Sequence, residues 1–228
     1  MEITVIHGQL HKGSTYNITK KIIENLNVDE NNINEFFLPR DMSKFCVGCY
    51  QCFYKGEDKC IASNEVQKIV KVMEKSQVII IDSPTYCFGM TGQLKTFFDH
   101  LGYMWFPHRP NPNMFNKIGV VISTTAGAGA KKTVKDIKTQ LNWIGISKVF
   151  KYGKVVTANN YDEVPEKIKE EIKRDTQKIA NNIKKKNGIG KKSFKTKFMF
   201  NIMKMMQKNN TWNKLDREHW VKNGWLKK

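Results

Sequence analysis

The sequence contains no long hydrophobic run, and acidic residues are scarce in it. The longest apolar stretch, "VIII" at residues 78–81, is far shorter than the roughly 20 residues that span a membrane. The N-terminus lacks the basic, then apolar, then small-residue pattern of an export signal. We therefore expect a cytoplasmic protein. Its 228 residues, 40% of them hydrophobic, suit one globular domain with an appended tail.

Two nucleotide-binding signatures are also missing. The chain has neither a GxGxxG stretch nor a Walker lysine pattern, which argues against a dinucleotide fold and a P-loop enzyme. A disulfide framework is disfavoured as well, because the cysteine count of five is odd and no export signal is present. The cysteines therefore point to thiolate chemistry or to metal binding in a reducing compartment.

The positive charge is unevenly distributed. The net charge is +18, and residues 188–228 contribute half of that surplus with 11 Lys or Arg against 2 Asp or Glu. This concentration indicates a basic tail more than a nucleic-acid-binding domain, so we expect no nucleic-acid partner. The predicted organisation is a cofactor-binding domain at 1–187, with a cysteine-rich loop at 46–60, followed by a basic amphipathic extension at 188–228.

Strand-like and helix-like segments alternate along the first 187 residues. Apolar or β-branched runs predict strands at residues 1–7, 33–37, 77–82, 117–124 and 148–156. Helical periodicity follows each of them, with Ser14 or Thr15 available to cap the first helix and Thr91 a later one. Five such alternations predict an α/β three-layer sandwich with a five-stranded parallel sheet. Ligands of such sheets bind beyond the carboxyl ends of the strands.

The loop after the first strand, "HGQLHKGST", suits a phosphate group. Gly8 and Gly13 let the backbone approach an anion, while Ser14 and Thr15 offer hydroxyls where a helix begins. A Gly/Ser turn with an ordinary helix cap would look similar without any ligand.

Two further loops are expected at the same edge of the sheet. In "SPTYCFGMTGQLKTFFDH", Tyr86 and Phe88 lie beside Gly89 and could contact a planar ring, or they could simply cover the end of the sheet. The stretch "TTAGAGAKK" offers exposed backbone and hydroxyls, or is a flexible turn. Three such loops together favour a ligand site.

Four of the five cysteines fall within the stretch "CVGCYQCFYKGEDKC", with the spacing Cys-x2-Cys-x2-Cys-x7-Cys. Three cysteines at this interval can surround three corners of a cubane cluster, and a fourth can close it. Zinc sites usually divide their ligands into two separated pairs, which this spacing does not. A cluster, a zinc ion, and cysteines without metal or with labile disulfides all remain open.

Together these segments resemble the flavodoxin-like NAD(P)H-dependent FMN reductases and, among them, the iron-sulfur flavoproteins. The resemblance covers about residues 1–185 and is most specific over residues 83–99. Gln9 and His11 stand where that family usually has Ser and Arg. The resemblance implies a flavodoxin-like fold, bound FMN rather than FAD, and NAD(P)H as a possible electron donor.

The resemblance also implies which residues hold the cofactors. The expected FMN contacts are Gln9, His11, Lys12, Ser14 and Thr15 in the first loop, Pro84, Thr85, Tyr86, Cys87, Phe88 and Gly89 in the second, and Thr124, Thr125, Ala126 and Gly127 in the third. The expected ligands of a [4Fe-4S] cluster are Cys46, Cys49, Cys52 and Cys60. The alternative interpretation of Cys87 is a small buried apolar side chain that contacts no ligand.

The function hypothesis is therefore an FMN-dependent oxidoreductase or electron-transfer flavoprotein, with no side chain acting as acid or base. Electrons would arrive from NAD(P)H or a ferredoxin and leave to a quinone, a nitro compound or oxygen. The alternatives are a cluster-free NAD(P)H-dependent FMN or quinone reductase and a zinc-stabilised interaction protein. A homodimer or tetramer is expected. The Pro-rich stretch around His108 and Arg109 is interpreted as a surface excursion, a cover for the flavin or a subunit contact.

The tail carries its own pattern. Phe194, Phe198, Ile202 and Met205 or Met206 fall on one helical face between lysines. We expect this face to pack on the chain's own domain or on a second subunit, with weak contact to a membrane surface as the alternative. Trp212, Trp220 and Trp225 are expected to act as anchors.

Overall fold

Strand β3 (Val78–Asp82), the run of apolar residues noted above, is buried along its whole length at the centre of the sheet. The computed structural model describes residues 1–158 and 160–227. The other strands are β1 (Ile3–His7), β2 (Ile33–Phe37), β4 (Ile118–Thr125) and β5 (Lys148–Val155). The helices are α1 (Ser14–Leu26), α2 (Gln51–Tyr54), α3 (Ser63–Lys75), α4 (Gly92–His100), α5 (Ala130–Trp143), α6 (Glu166–Lys184), α7 (Phe194–Lys208) and α8 (Lys214–Lys222).

The five strands form one parallel sheet in the order β2-β1-β3-β4-β5. In this register, His7 at the end of β1 pairs with Phe37 on one side and with Asp82 on the other. The carboxyl ends of β1, β2 and β3 therefore finish level at one edge. The predicted five-stranded α/β architecture is confirmed.

Alternating side chains of each strand face opposite layers of helices. Ile79 and Ile81 face the core beneath α3, α4 and α5, whereas Val78 and Ile80 face the core beneath α1 and α6. Full burial of one such side chain stabilises the fold by about 1.5–3 kcal/mol. The continuous apolar run of β3 thus follows from its having helices on both faces.

The helix starts were predicted with mixed success. Thr91 caps α4, since its hydroxyl accepts a hydrogen bond from the Leu94 N–H at 3.4 Å. The prediction that Ser14 or Thr15 caps α1 is wrong. Gly13 occupies the cap position without a side-chain bond, and both hydroxyl residues lie inside the helix.

The C-terminal extension folds back onto the domain through α7 and α8. Trp220 is fully buried, with its ring centroid 5.0 Å from that of Phe200 and 5.1 Å from that of Trp225. Trp212, by contrast, is 61% exposed, so it is not buried against the domain. Among the helices that the structure describes, none is both long and apolar enough to cross a membrane. The cytoplasmic location stays a prediction.

Candidate functional site

A buried charged network lies beneath the carboxyl edge of the sheet. His7 Nδ1 is 2.7 Å from Asp82 Oδ2, and the Thr19 hydroxyl donates to the same carboxylate oxygen at 2.7 Å. The second ring nitrogen of His7 lies 3.8 Å from Glu35, too far for a hydrogen bond but close enough for charge attraction. Burial by itself would lower the pKa of His7, yet the two carboxylates outweigh it and raise the pKa to about 9. A charged His7 thus ties β1 to β3 below the loops.

Three loops meet above this network. We name them after the strands that they follow: L1 (residues 8–13), L3 (83–91) and L4 (126–129). L1 and L3 touch at Gly8, whose N–H donates to the Asp82 carbonyl at 2.8 Å and whose carbonyl accepts from the Thr91 hydroxyl at 2.6 Å. A Cβ at Gly8 would lie 2.9 Å from each of those two partner oxygens. Only glycine therefore allows L1 to pass this close to L3.

The start of α1 provides the features of an anion site. The N–H groups of its first turn have no intrahelical acceptors and point beyond the helix end. Ser14 is buried, and its Oγ has no hydrogen-bond partner among the described residues. A buried hydroxyl left unpaired is costly unless a ligand or water pairs with it. Lys12, exposed nearby with its Nζ 5.3 Å from the centroid of the Tyr16 ring, adds positive charge.

L3 presents an exposed aromatic surface in a fixed backbone conformation. Tyr86 and Gly89 exchange two backbone hydrogen bonds, and the residues between them, Cys87 and Phe88, have φ of 48° and 61°. Tyr86 is 53% exposed and Phe88 64%, so neither side chain merely covers the sheet. The Tyr86 hydroxyl donates to Gln9 Oε1 at 2.6 Å and joins L3 to L1. Cys87 is exposed, which contradicts its interpretation as a buried hydrophobe.

L4 completes the same edge. The hydroxyls of Thr15 and Thr124 are 2.6 Å apart, and the Thr85 N–H donates to the Thr124 carbonyl at 2.8 Å. Gly129 has φ of 104°, and a Cβ there would lie 3.1 Å from the Phe88 ring. The structure therefore brings the three sets of predicted FMN contacts together. Within L3, Pro84 is buried, while His11, Ala126 and Gly127 lie at the exposed rim.

The four clustered cysteines surround one cavity. Cys46, Cys49, Cys52 and Cys60 all line a space of about 320 Å³ between the cysteine loop (residues 46–60) and the end of α4. Within residues 1–158 and 160–227, no three His, Cys, Asp or Glu side chains converge on a point where one metal ion could bind. Zinc needs its sulfur ligands about 2.3 Å from a single ion. A cubane, by contrast, is ligated at separate corners, which suits thiols arranged around a cavity.

The two inner thiols are held in their neutral form. Burial, reinforced by the neighbouring cysteines, raises the pKa of Cys52 to about 11, and burial raises that of Cys60 too. Cys60 Sγ lies 3.3 Å from Nδ1 of the buried His100, whose Nε2 lies 2.8 Å from the Lys44 carbonyl. Because a carbonyl only accepts, Nε2 carries a proton and Nδ1 faces the sulfur. His100 is thus a neighbour of the cysteine cavity.

A buried arginine fixes the cysteine loop from behind. Arg109 donates to the carbonyls of Cys52 and, at 3.3 Å, of Phe53. Its guanidinium also pairs with the fully buried Asp216 of α8, with Nη1 2.6 Å from Oδ1. Asn213, at the cap of α8, donates to the same Phe53 carbonyl at 3.0 Å. The stretch around Arg109 is therefore an internal brace, contrary to its interpretation as a surface excursion.

The two candidate sites lie at opposite ends of α4. L3 leads directly into Gly92 at its start, and Asp99 and His100 at its end line the cysteine cavity. The helix rise of about 1.5 Å per residue separates Gly92 from His100 by about 12 Å. One short rigid element thus links the loops predicted for flavin to the cysteines.

These features agree with the comparisons to known proteins. Residues 1–160 match the NADPH-dependent FMN reductase family. The chain belongs to this family and is an FMN-dependent NAD(P)H oxidoreductase. An iron-sulfur flavoprotein of Clostridioides difficile (strain 630) is 30% identical over 191 residues, covering 82% of this chain and 81% of that protein. One of Archaeoglobus fulgidus is 32% identical over 90 residues, covering 40% of this chain and 38% of that protein.

Solved structures show the same architecture. A flavone reductase superposes with a TM-score of 0.60 at 15% identity, over 82% of this chain and 62% of that one. An FMN-dependent NADH-azoreductase from Bacillus anthracis str. Ames Ancestor, in complex with FMN, superposes with a TM-score of 0.57 at 14% identity, over 79% of this chain and 100% of that one. At such identities the likeness shows the fold alone. It confirms the flavodoxin-like class predicted from the sequence.

Proposed function

We propose that this FMN-dependent oxidoreductase also carries a [4Fe-4S] cluster on Cys46, Cys49, Cys52 and Cys60 and transfers electrons between flavin and cluster. The observation that carries the proposal is the arrangement of these four thiols around one cavity at the end of α4. The names of the similar iron-sulfur flavoproteins support it. When bound, FMN accepts a hydride from NAD(P)H, and a four-thiolate cluster exchanges electrons at a potential set by its surroundings.

The residues at the start of α1 bind the phosphate end of FMN in this proposal. Ser14 donates its unpaired hydroxyl, the first-turn N–H groups add their dipoles, and Lys12 contributes charge. Gln9, which replaces the family's usual serine, is already engaged by the Tyr86 hydroxyl. Its role is therefore to fix L3 against L1 rather than to contact phosphate.

L3 and L4 orient the planar ring. The exposed Tyr86 and Phe88 supply an apolar surface, and the exchanged hydrogen bonds between Tyr86 and Gly89 hold that surface in one conformation. Gly127 stands open, with no atom within 4 Å of a Cβ built on it. The backbone of L4 can therefore approach a ligand closely.

The cysteine loop must lose protons to hold a cluster. Thiolates are the ligating form, and the pKa of Cys52 stands at about 11 in the free loop. The positive charge of Arg109 opposes this rise and becomes a favourable partner once Cys52 is ionised. Arg109 and Asn213 meanwhile hold the loop backbone through the carbonyls of Cys52 and Phe53.

A cluster-free NAD(P)H-dependent FMN or quinone reductase is the second candidate. The match of residues 1–160 to the NADPH-dependent FMN reductase family supports it, because that match requires flavin chemistry and no cluster. A zinc-stabilised interaction protein has less support, since the cysteines do not converge on one point. Ferredoxin as donor, the nature of the acceptor and a homodimeric or tetrameric state remain predictions.

The test compares two cysteine variants purified without oxygen. We expect the wild type to contain FMN and about four irons per chain. Cys49→Ser removes one of the four proposed ligands, so the variant should lose iron. Because Cys49 is exposed, its replacement should leave the fold and the bound FMN intact. Cys87→Ser replaces the fifth cysteine, which is equally exposed, and should keep its iron. Iron retained in the first variant would refute the cluster assignment, and FMN without iron in the wild type would favour the cluster-free reductase.

A further inference from the structure

Helix α7 shows an apolar face to solvent. Phe194, Phe198 and Met205 are 85%, 56% and 68% exposed, and 3.6 residues per turn place them within about 40° of one another on the helix. Large exposed apolar side chains clustered on one face of a helix mark an interaction surface. We call these three residues the α7 apolar face.

The orientation of α7 is fixed by packing on the opposite side of the helix. Phe200 stacks on the buried Trp220 with ring centroids 5.0 Å apart, and Gln207 donates to the Pro107 carbonyl at 2.7 Å. Thr196 is buried on that side as well. The helix therefore docks on its own domain through a face other than the predicted one, and it cannot roll its apolar face inward without losing these contacts.

The surroundings of the α7 apolar face are strongly basic. Lys197 and Lys208 flank it on one side and Lys195 on the other, all three of them exposed. The sequence has no acidic residue from 188 to 215. A helix with exposed apolar residues between lysines is the arrangement that lies in a membrane interface, with the lysine stems extending toward the head groups.

Charge decides between the occupants that could cover such a face. A second copy would bring an equally basic extension against this one, and like charges repel. An anionic lipid surface satisfies both features, because acyl chains bury the apolar side chains and head groups pair with the lysines. We propose that α7 docks the protein on anionic membrane surfaces, with Phe194, Phe198 and Met205 inserted and the lysines on the head groups.

Trp212 extends the docking surface beyond the end of α7. It is 61% exposed, and tryptophan favours the boundary between head groups and acyl chains. Its ring centroid lies 6.2 Å from that of His108, which lies 4.5 Å from that of Phe53 in the cysteine loop. Lipid-bound protein would therefore present the cysteine loop close to the membrane.

The experiment is vesicle flotation of the full-length holoprotein. We expect binding to phosphatidylcholine vesicles that contain phosphatidylglycerol and little binding to phosphatidylcholine alone. Raising the salt from about 0.1 M to about 1 M shortens the screening length from about 10 Å to about 3 Å and should release the protein. Equal binding to both vesicle types, or binding that ignores salt, would overturn the proposal.

Variants localise the contact. Each basic residue near an anionic surface contributes about fivefold in partitioning, so Lys195→Gln, Lys197→Gln and Lys208→Gln together should weaken binding about 100-fold. Lys173→Gln, Lys178→Gln and Lys184→Gln remove the same charge from the exposed side of α6 and serve as the control, with little loss expected. Equal losses in the two triple variants would contradict docking through α7.

The apolar contribution is tested by Phe194→Ser with Phe198→Ser. Both side chains are exposed, so the fold should persist while vesicle binding falls about tenfold or more. Sedimentation equilibrium of the same variant tests the competing possibility, in which a second copy of the chain covers this face. If this double change instead dissociates an oligomer and leaves vesicle binding intact, the face is a subunit interface and the proposal is wrong.

Discussion

Arg109 and Asp216 form a buried ion pair across 107 residues of sequence, with Nη1 2.6 Å from Oδ1. The other oxygen of the same carboxylate, Oδ2, accepts a hydrogen bond from His108 Nδ1 at 2.8 Å. Through this pair the C-terminal extension supports the backbone of the cysteine loop, since Arg109 also holds the carbonyls of Cys52 and Phe53. Residues beyond the boundary expected near residue 187 therefore contact and support the cysteine loop of the first part of the chain.

Asp216→Ala should lower the free energy of unfolding by about 3–5 kcal/mol, because it leaves the Arg109 charge buried and unpaired. The control lies on the same helix. Glu218→Ala breaks the exposed pair with Lys214, 3.6 Å apart, and should cost less than about 1 kcal/mol. Urea unfolding measures both. Combining Arg109→Met with Asp216→Leu should recover part of the loss, and additive effects of the two changes would argue against the pair.

Ser14→Ala should weaken FMN binding about 10-fold to 100-fold, the value of one hydrogen bond to a charged group. Riboflavin, which lacks the phosphate, should bind the variant as it binds the wild type. Fluorescence titration of the flavin-free protein with both ligands gives the two constants. Ser63→Ala, at the first residue of α3 and away from the three loops, is the matched control. If Ser14→Ala weakens the binding of FMN and of riboflavin equally, Ser14 does not contact the phosphate.

Gly129→Ala should destabilise the flavin-free protein by about 1–3 kcal/mol, since a side chain is poorly tolerated at positive φ. The added Cβ would also lie 2.9 Å from Thr85 and displace L3. Gly127→Ala, two residues away in open space, should leave stability unchanged. Thermal unfolding of both variants checks the contrast, and similar melting temperatures would contradict the described conformation of L4.

His7 should make stability depend on pH. Its pKa is about 9 in the folded protein and 6.5 unfolded, so its contribution of about 3 kcal/mol is complete below pH 6.5 and is lost as the pH rises through 9. The expected result is a steeper fall in unfolding free energy between these limits for wild type than for His7→Gln. Urea titrations at several pH values give the unfolding free energy of both proteins. In the difference between them, the contributions of the other titrating groups cancel. Parallel curves would show that His7 is not charged in the fold.

The sheet was predictable because its signal is local. A strand buried on both faces must be apolar throughout, and β3 shows this directly in its sequence. The three loops follow from it, because strand ends at one edge of a parallel sheet are necessarily neighbours. Thr91 was recognised as a cap for the same reason, since its bond to Leu94 spans only three residues.

The brace behind the cysteine loop was not predictable in this way. Arg109 lies in a Pro-rich stretch without periodicity, and its partner is 107 residues distant. The only local signal was Asp216 itself, an acid inside a basic tail, three residues after Asn213. The wrong face was chosen for α7 because Phe194 and Phe198 are as apolar as Phe200. Only the tertiary structure shows that Phe200 meets Trp220.

The long separation between Arg109 and Asp216 also sets an order of events during synthesis. A ribosome that adds about 5–20 residues per second needs about 5 to 20 s to proceed from Arg109 to Asp216, which is 107 positions later. Throughout that interval the four cysteines have already emerged while the helix that braces them has not. The nascent chain thus exposes its thiols before α8 can brace their loop, and under the proposed cluster assignment iron and sulfide delivered in that interval would meet a less ordered set of ligands.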